Sequence, residues 1–157
     1  MRIAPLAYTS GLALLVASAA AGGAALGKAQ ALRIMHERHE GMETIGKATK
    51  VINREFKARS PNLGTVRASS AQIARLSARV PGWFPPGTGP DVGKTHAKAE
   101  IWQKPDDFRA KALDFRKAAL AFNAAARGRD VNAMKAAFGN LGKACKACHD
   151  PYRAPEH

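Results

Sequence analysis

The sequence predicts an all-α fold, an antiparallel four-helix bundle, on three observations. Four stretches carry apolar residues at alternating three- and four-residue steps, the period of a helix that buries one face. Those steps average close to 3.5 residues, the spacing at which left-handed bundles pack. No stretch alternates as a half-buried strand does, and the main Pro- and Gly-rich breaks fall between the helical stretches. At 157 residues with 46% hydrophobic content, the chain has the material for one domain with one core, and it carries no internal repeat.

The N-terminus stands apart. Met1-Arg2 precedes an uncharged stretch over 3–27, with an apolar centre over 12–21 and small residues after it. This pattern reads as a secretory leader over 1–27. Ala17-Ser18-Ala19 offers a small-x-small cleavage site, and Ala29-Gln30-Ala31 fits too, but cutting there trims the helix that follows. The stretch is long enough to cross a bilayer, yet its Ala, Gly and Ser content makes a weak span. Membrane contact is therefore expected only through an uncleaved N-terminus.

Residues 28–157 form the expected bundle domain. The first helix runs over 28–57: Leu32, Met35, His39, Met42, Ile45, Ile52 and Phe56 mark its stripe and no Pro interrupts it, a length of about 45 Å. Ser60-Pro61-Asn62-Leu63-Gly64 breaks the chain. A second helix over 65–80 carries Val66, Ser69, Ile73, Leu76 and Val80, and Pro81-Gly82 ends it. The connection over 83–105 has no regular period; Trp83, Phe84, Ile101 and Trp102 are its expected anchors on the bundle end. The third helix opens with Pro105-Asp106-Asp107, suited to a first turn. Its stripe is Phe108, Ala112, Phe115, Ala119, Phe122 and Ala126, and Gly128 is the expected stop. Asp130 caps the last helix, whose stripe is Val131, Met134, Phe138, Leu141, Cys145, Cys148 and Tyr152.

That last stripe contains the chemistry. Cys145-Lys146-Ala147-Cys148-His149 is a Cys-x-x-Cys-His run, the attachment signature of a c-type haem. Two thiols add across the two vinyl groups of one porphyrin, and the adjacent imidazole reaches its iron. At spacings i, i+3 and i+4 the three side chains share one arc of a helix. A structural zinc site would need a second ligand pair, and the chain has only these two cysteines. A thioredoxin-like dithiol would need a βαβ setting that is missing here. A chance run would not be expected to fall in phase with the apolar seam. Gly139 and Gly142 cost helix stability, about 1 kcal/mol each relative to Ala, and leave room for a flat ring near the backbone. One covalent haem c per chain is therefore expected, and it suits an exported, periplasmic protein because it cannot dissociate.

From Phe138-Gly139-Asn140-Leu141-Gly142-Lys143-Ala144 through the haem motif to Asp150-Pro151-Tyr152-Arg153, the sequence resembles the C-terminal helix of the class II cytochromes c, the family of cytochrome c prime. Ala97-Lys98-Ala99-Glu100-Ile101-Trp102 is similar to that family's stretch ahead of its third helix, and the resemblance runs over 28–153. It implies a four-helix bundle with His149 as proximal iron ligand and Arg153 near the haem on the proximal side. Pro151 is a departure that is expected to end the helix early and shift Arg153. The resemblance also implies that the sixth position decides function: an apolar residue leaves the iron five-coordinate, and a Met from the first helix fills it. Aligning the Met-x6-Met pattern puts Met35 at the ligating position and Leu32, one turn earlier, at the blocking position. His36, His39 and Met42 are rival ligands.

Two functions follow. With Met35 and His149 as metal ligands, the protein is a periplasmic electron carrier, since filled axial sites favour electron transfer and Met/His ligation raises the potential. With a vacant site under Leu32, it binds nitric oxide or carbon monoxide. The expected reading is the first. The formal charge of +13 falls to about +12 without the leader, which suits acidic redox partner proteins, with Lys143 just before the attachment run and Lys146 within it. Nucleic acid is not an expected partner for an exported haem protein. A homodimer is compatible with the family resemblance. No acid/base group is set for peroxide chemistry, so the protein is not expected to be an enzyme.

Overall fold

The computed structural model describes residues 26–155; the leader read over 1–27 lies, as far as residue 25, outside them. The elements in chain order are α1 (Lys28–Lys57), α2 (Leu63–Ser77), a 3-10 turn (Val80–Trp83), the one-turn α3 (Glu100–Gln103), α4 (Pro105–Ala126) and α5 (Val131–Tyr152). The fold is the antiparallel four-helix bundle, built of α1, α2, α4 and α5, with one isolated bridge between Ala97 and Arg153. Among the described residues no helix is long and apolar enough to cross a membrane.

The helix ends follow from named groups. Asn62 accepts from Thr65 N–H at 3.0 Å, which starts α2 two residues before the position expected. Asp130 Oδ1 accepts from Asn132 and Ala133 N–H at 2.8 and 3.1 Å and opens α5. The α2 end also differs from expectation. The helix stops at Ser77, and Val80 belongs to the 3-10 turn because Pro81 has no N–H to continue an α ladder. Pro151 does not end α5 early: the helix runs to Tyr152, and Arg153 N–H still donates to His149 O at 2.9 Å.

The α4 stripe is buried as expected, at all six positions. In α1 the buried line is instead Ala31, Met35, Arg38, Gly41, Ile45, Ala48 and Ile52; Leu32 and His39 lie outside it. The shift follows from Trp83, whose ring lies against the α1 backbone at Gly41, where a Cβ would overlap the ring carbons. Gly41→Ala is expected to lower stability by about 1–3 kcal/mol through overpacking, read as a drop in the thermal midpoint with helix content unchanged. In α2, Ser70 rather than Ser69 is buried, its hydroxyl donating to Arg67 O at 2.9 Å.

The core is continuous from Ile45 and Ile52 through Val66, Ile73, Phe115 and Phe122 to Met134 and Leu141. At one end of the bundle Phe56, Phe122 and Phe138 close it with edge and tilted ring contacts at 5.3–6.4 Å. At the other end Phe84, Phe108 and Tyr152 stack at 4.7 and 5.4 Å, with Ile101 buried beside them. The strongest helix pairings are α4 with α5, α1 with α2 and α2 with α4, whereas α1 and α5 have almost no direct backbone contact.

Candidate haem site

The side between α1 and α5 is closed at its far end by Phe56 and Phe138, whose ring centroids are 5.6 Å apart. Because the two helices are antiparallel, the N-terminal half of α1 and the C-terminal half of α5 share the other end. There Leu32 and Met35 stand on α1, and Cys145, Cys148 and His149 on α5. A flat group attached to α5 can enter on this side without displacing a packed helix.

Cys145 and Cys148 are free, partly buried thiols on the inner arc of α5. Cys145 packs on the main core, and Cys148 packs beside Phe108 and Tyr152. Burial pushes both thiols up. Cys148 reaches about 11, with Cys145 and Asp107 adding to the rise and Lys111 opposing it. Among the described residues no group of three metal-ligating side chains occurs. The residue types and spacing of Cys145 and Cys148 on one arc of α5 fit thioether attachment.

His149, one residue on, is exposed in the protein alone. The surrounding protein lowers its pKa first and the Arg153 cation second, while Asp150 opposes them. The imidazole is therefore biased to its neutral form, whose nitrogen lone pair an iron requires. Gly139 and Gly142, on the helical strip leading to His149, look onto open space. The residues present thus fit a haem c held by Cys145, Cys148 and His149.

Arg153 follows the end of α5, and its backbone belongs to the bridge with Ala97. Lys98 N–H donates to Tyr152 O at 3.0 Å and Ala154 N–H to His96 O at 2.8 Å, tying the stretch ahead of α3 to the attachment helix. The Tyr152 hydroxyl donates to Asp107 Oδ2, and burial and that carboxylate raise its pKa to about 12. Lys143 is exposed, and Lys146 pairs with Asp150 at 2.7 Å.

On α1, Met35 is 6% exposed and Leu32 is 42% exposed. Both touch the loop at Gly93, where a Cβ would lie 2.8 Å from Leu32 Cδ2, 3.3 Å from Met35 Cε and 3.8 Å from Met35 Sδ. Of the rival ligands, Met42 packs against the core, His36 is exposed, and His39 faces Glu43 at 3.6 Å on the outer surface. Sequence reasoning missed Arg38, Thr88, Gly93 and Thr95. Arg38 carried a signal, since it lies three residues after Met35 on the same face. Gly93 lies in a stretch without period and gave none.

Comparison with known proteins agrees with this arrangement. A family model described as Cytochrome C' matches residues 33–153. The cytochrome c' of Pararhodospirillum photometricum is 33% identical over 116 residues, covering 74% of this chain and 92% of that one. A solved cytochrome c' with an unusual ligand-controlled dimer dissociation superposes with a TM-score of 0.74 at 30% identity, over 84% of this chain and 100% of that one. The nitric oxide complex of a leucine-to-isoleucine mutant of cytochrome c prime from Alcaligenes xylosoxidans superposes with a TM-score of 0.70 at 28% identity, over 82% and 97%. The chain belongs to the cytochrome c' family and is a haem c protein.

Proposed function

We propose that the protein is an exported, periplasmic haem c protein that binds nitric oxide or carbon monoxide at a five-coordinate iron and is not an enzyme. The observation that carries this reading is the division of labour on α1. Met35 is buried with its thioether against Gly93, as a core methionine is, whereas Leu32 leaves an apolar surface uncovered beside it. The relative solved as a nitric oxide complex supports the same reading.

The residues divide the work as follows. Cys145 and Cys148 hold the group covalently, and His149 donates its neutral nitrogen from the α5 side. Arg153 lies close enough to His149 for its charge to weigh on the imidazole. Leu32 keeps water and anions from the α1 side, because an apolar wall offers them no hydrogen bond, while a small neutral gas has little to lose there. When bound, the haem iron supplies the position at which the gas is taken up. The leader read over 1–27 is the export signal in this proposal, with the bundle domain following over 28–157. A homodimer belongs to it as well, on the strength of the relative whose dimer dissociates under ligand control.

A second reading has an observation of its own. Met35 and Leu32 lie one turn apart and both touch Gly93, so a rotamer change in flexible Met35 is enough to exchange their roles. Met35 and His149 are then both iron ligands and the protein carries electrons to acidic partner proteins. Met35→Leu separates the readings. The proposal expects the ferric optical spectrum of the holoprotein to stay that of high-spin haem, as in the parent. Conversion from a low-spin parent to a high-spin variant would establish Met35 as the ligand and overturn it.

A further inference from the structure

Arg38 is the third of the seven residues in the buried α1 line and is 4% exposed. Among the described residues no carboxylate is bonded to it. Its fork instead grips one loop. Nη1 donates to Trp83 O at 3.4 Å, Thr88 O at 3.2 Å and Thr88 Oγ1 at 3.4 Å; Nη2 donates to Thr88 O at 3.2 Å and Thr95 Oγ1 at 3.0 Å. Its guanidinium carbon also stands 4.8 Å from the centroid of Phe84 and 5.8 Å from that of Trp102. Every one of these partners lies in the connection between α2 and α4.

A buried cation without a counterion is costly, and burial draws this one down to about 10 from its ordinary 12.5. Its retention in the seam therefore calls for a reason, and the loop supplies one. The stretch between Thr88 and Thr95 has little regular structure of its own, apart from a turn in which Val92 N–H donates to Gly89 O at 3.1 Å. A rigid planar fork can hold two separated threonines at once, which a lysine cannot. Gly93 lies inside the gripped stretch, against Leu32 and Met35.

We propose that Arg38 and Gly93 act as a positioning pair for the distal face. Arg38 fixes how closely the 88–95 loop approaches α1, and Gly93, lacking a side chain, lets the loop at that distance hold Leu32 and Met35 in one arrangement. The pair thereby sets how readily a small gas reaches the sixth position. The inference rests on the reading of Leu32 and Met35 as the distal face.

The test is a double-mutant cycle on the ferrous holoprotein, with carbon monoxide recombination followed after flash photolysis. Gly93→Ala is expected to slow association by roughly threefold to tenfold, because a Cβ on a clamped loop drives Leu32 across the open side. In the Arg38→Lys background the loop yields, and the same substitution is expected to change the rate by less than about twofold. Equal effects of Gly93→Ala in both backgrounds would overturn the proposal. Tryptic cleavage after Lys94 gives an independent measure of the clamp. Arg38→Lys, and Thr95→Val, which removes the Oγ1 that accepts from both Arg38 and Ala97 N–H, are each expected to speed that cut roughly tenfold with the bundle helices intact. Unchanged cleavage in both variants overturns the clamp. If the parent takes up no carbon monoxide, the distal-face reading fails by itself, and cleavage after Lys94 still judges the clamp.

Discussion

Replacing Cys145 and Cys148 together by serine is expected to yield a protein from which acidified organic solvent extracts all the haem, where the parent releases none. If each thiol carries one thioether, Cys145→Ser and Cys148→Ser alone should each retain a singly attached haem with a shifted pyridine haemochrome band. The physical ground is the setting of the thiols. They are partly buried, unpaired and neutral, on the arc of α5 that faces the core. Serine hydroxyls do not add to vinyl groups, so the double variant must hold its haem through His149 and packing alone. Its thermal midpoint should then rise with added haem, as mass action requires, whereas the parent's should not. Haem that stays with the double variant through extraction would show that the attachment is elsewhere.

The second large effect concerns the bundle that carries the site. Phe122→Ala is expected to cost about 3–5 kcal/mol in unfolding free energy, measured by urea titration of the holoprotein. Phe122 is fully buried, and its ring meets Phe138 at 5.3 Å and Phe56 at 6.4 Å, joining α4, α5 and α1 at the end away from the candidate haem site. Phe108→Ala makes a useful contrast. Its ring touches Phe84 and Tyr152 at the haem end, in the cluster that includes Cys148. A loss there should appear both in stability and in the optical spectrum, and Phe122→Ala should leave the spectrum unchanged.

The parts of the fold that were legible in the sequence are those where bulk alone decides burial. In α4, Phe108, Ala112, Phe115, Ala119, Phe122 and Ala126 face a core on one side and water on the other, so period and burial coincide. Asp130 caps α5 in the expected way, whereas α4 ends without a left-handed glycine, its last carbonyls accepting from Arg127 and Gly128 N–H in tightened turns. In α1 the rule fails because the neighbour is not a helix. A flat indole against Gly41 and a loop gripped by Arg38 reward small residues and a hydrogen-bonding fork, so Leu32 is displaced from the buried line and Arg38 enters it. In α2, Ser70 enters the core because its hydroxyl is satisfied by Arg67 O and Asn123 Oδ1.

The attachment half of the candidate site was legible for a different reason. Covalent chemistry with a rigid cofactor needs fixed residue types at fixed spacing, and Cys145, Cys148 and His149 lie together on one helix. The opposite half depends on contacts between α1 and a loop sixty residues away in sequence, on the order that loop closure allows at little cost. Gly93 leaves no periodic mark, and nothing in its neighbours' chemistry announces that it touches Leu32. The early end of α5 expected at Pro151 was wrong because a last-turn proline at that position still allows Arg153 N–H, two residues on, to reach His149 O.

The measurement that tests the account most directly is a carbon monoxide titration of the purified, reduced holoprotein, followed in the Soret region and preceded by its ferric spectrum. A vacant distal side under Leu32 predicts a high-spin ferric form, and a reduced form that takes up one carbon monoxide per haem. A low-spin ferric spectrum with a reduced form indifferent to carbon monoxide would contradict it and assign the sixth position to Met35.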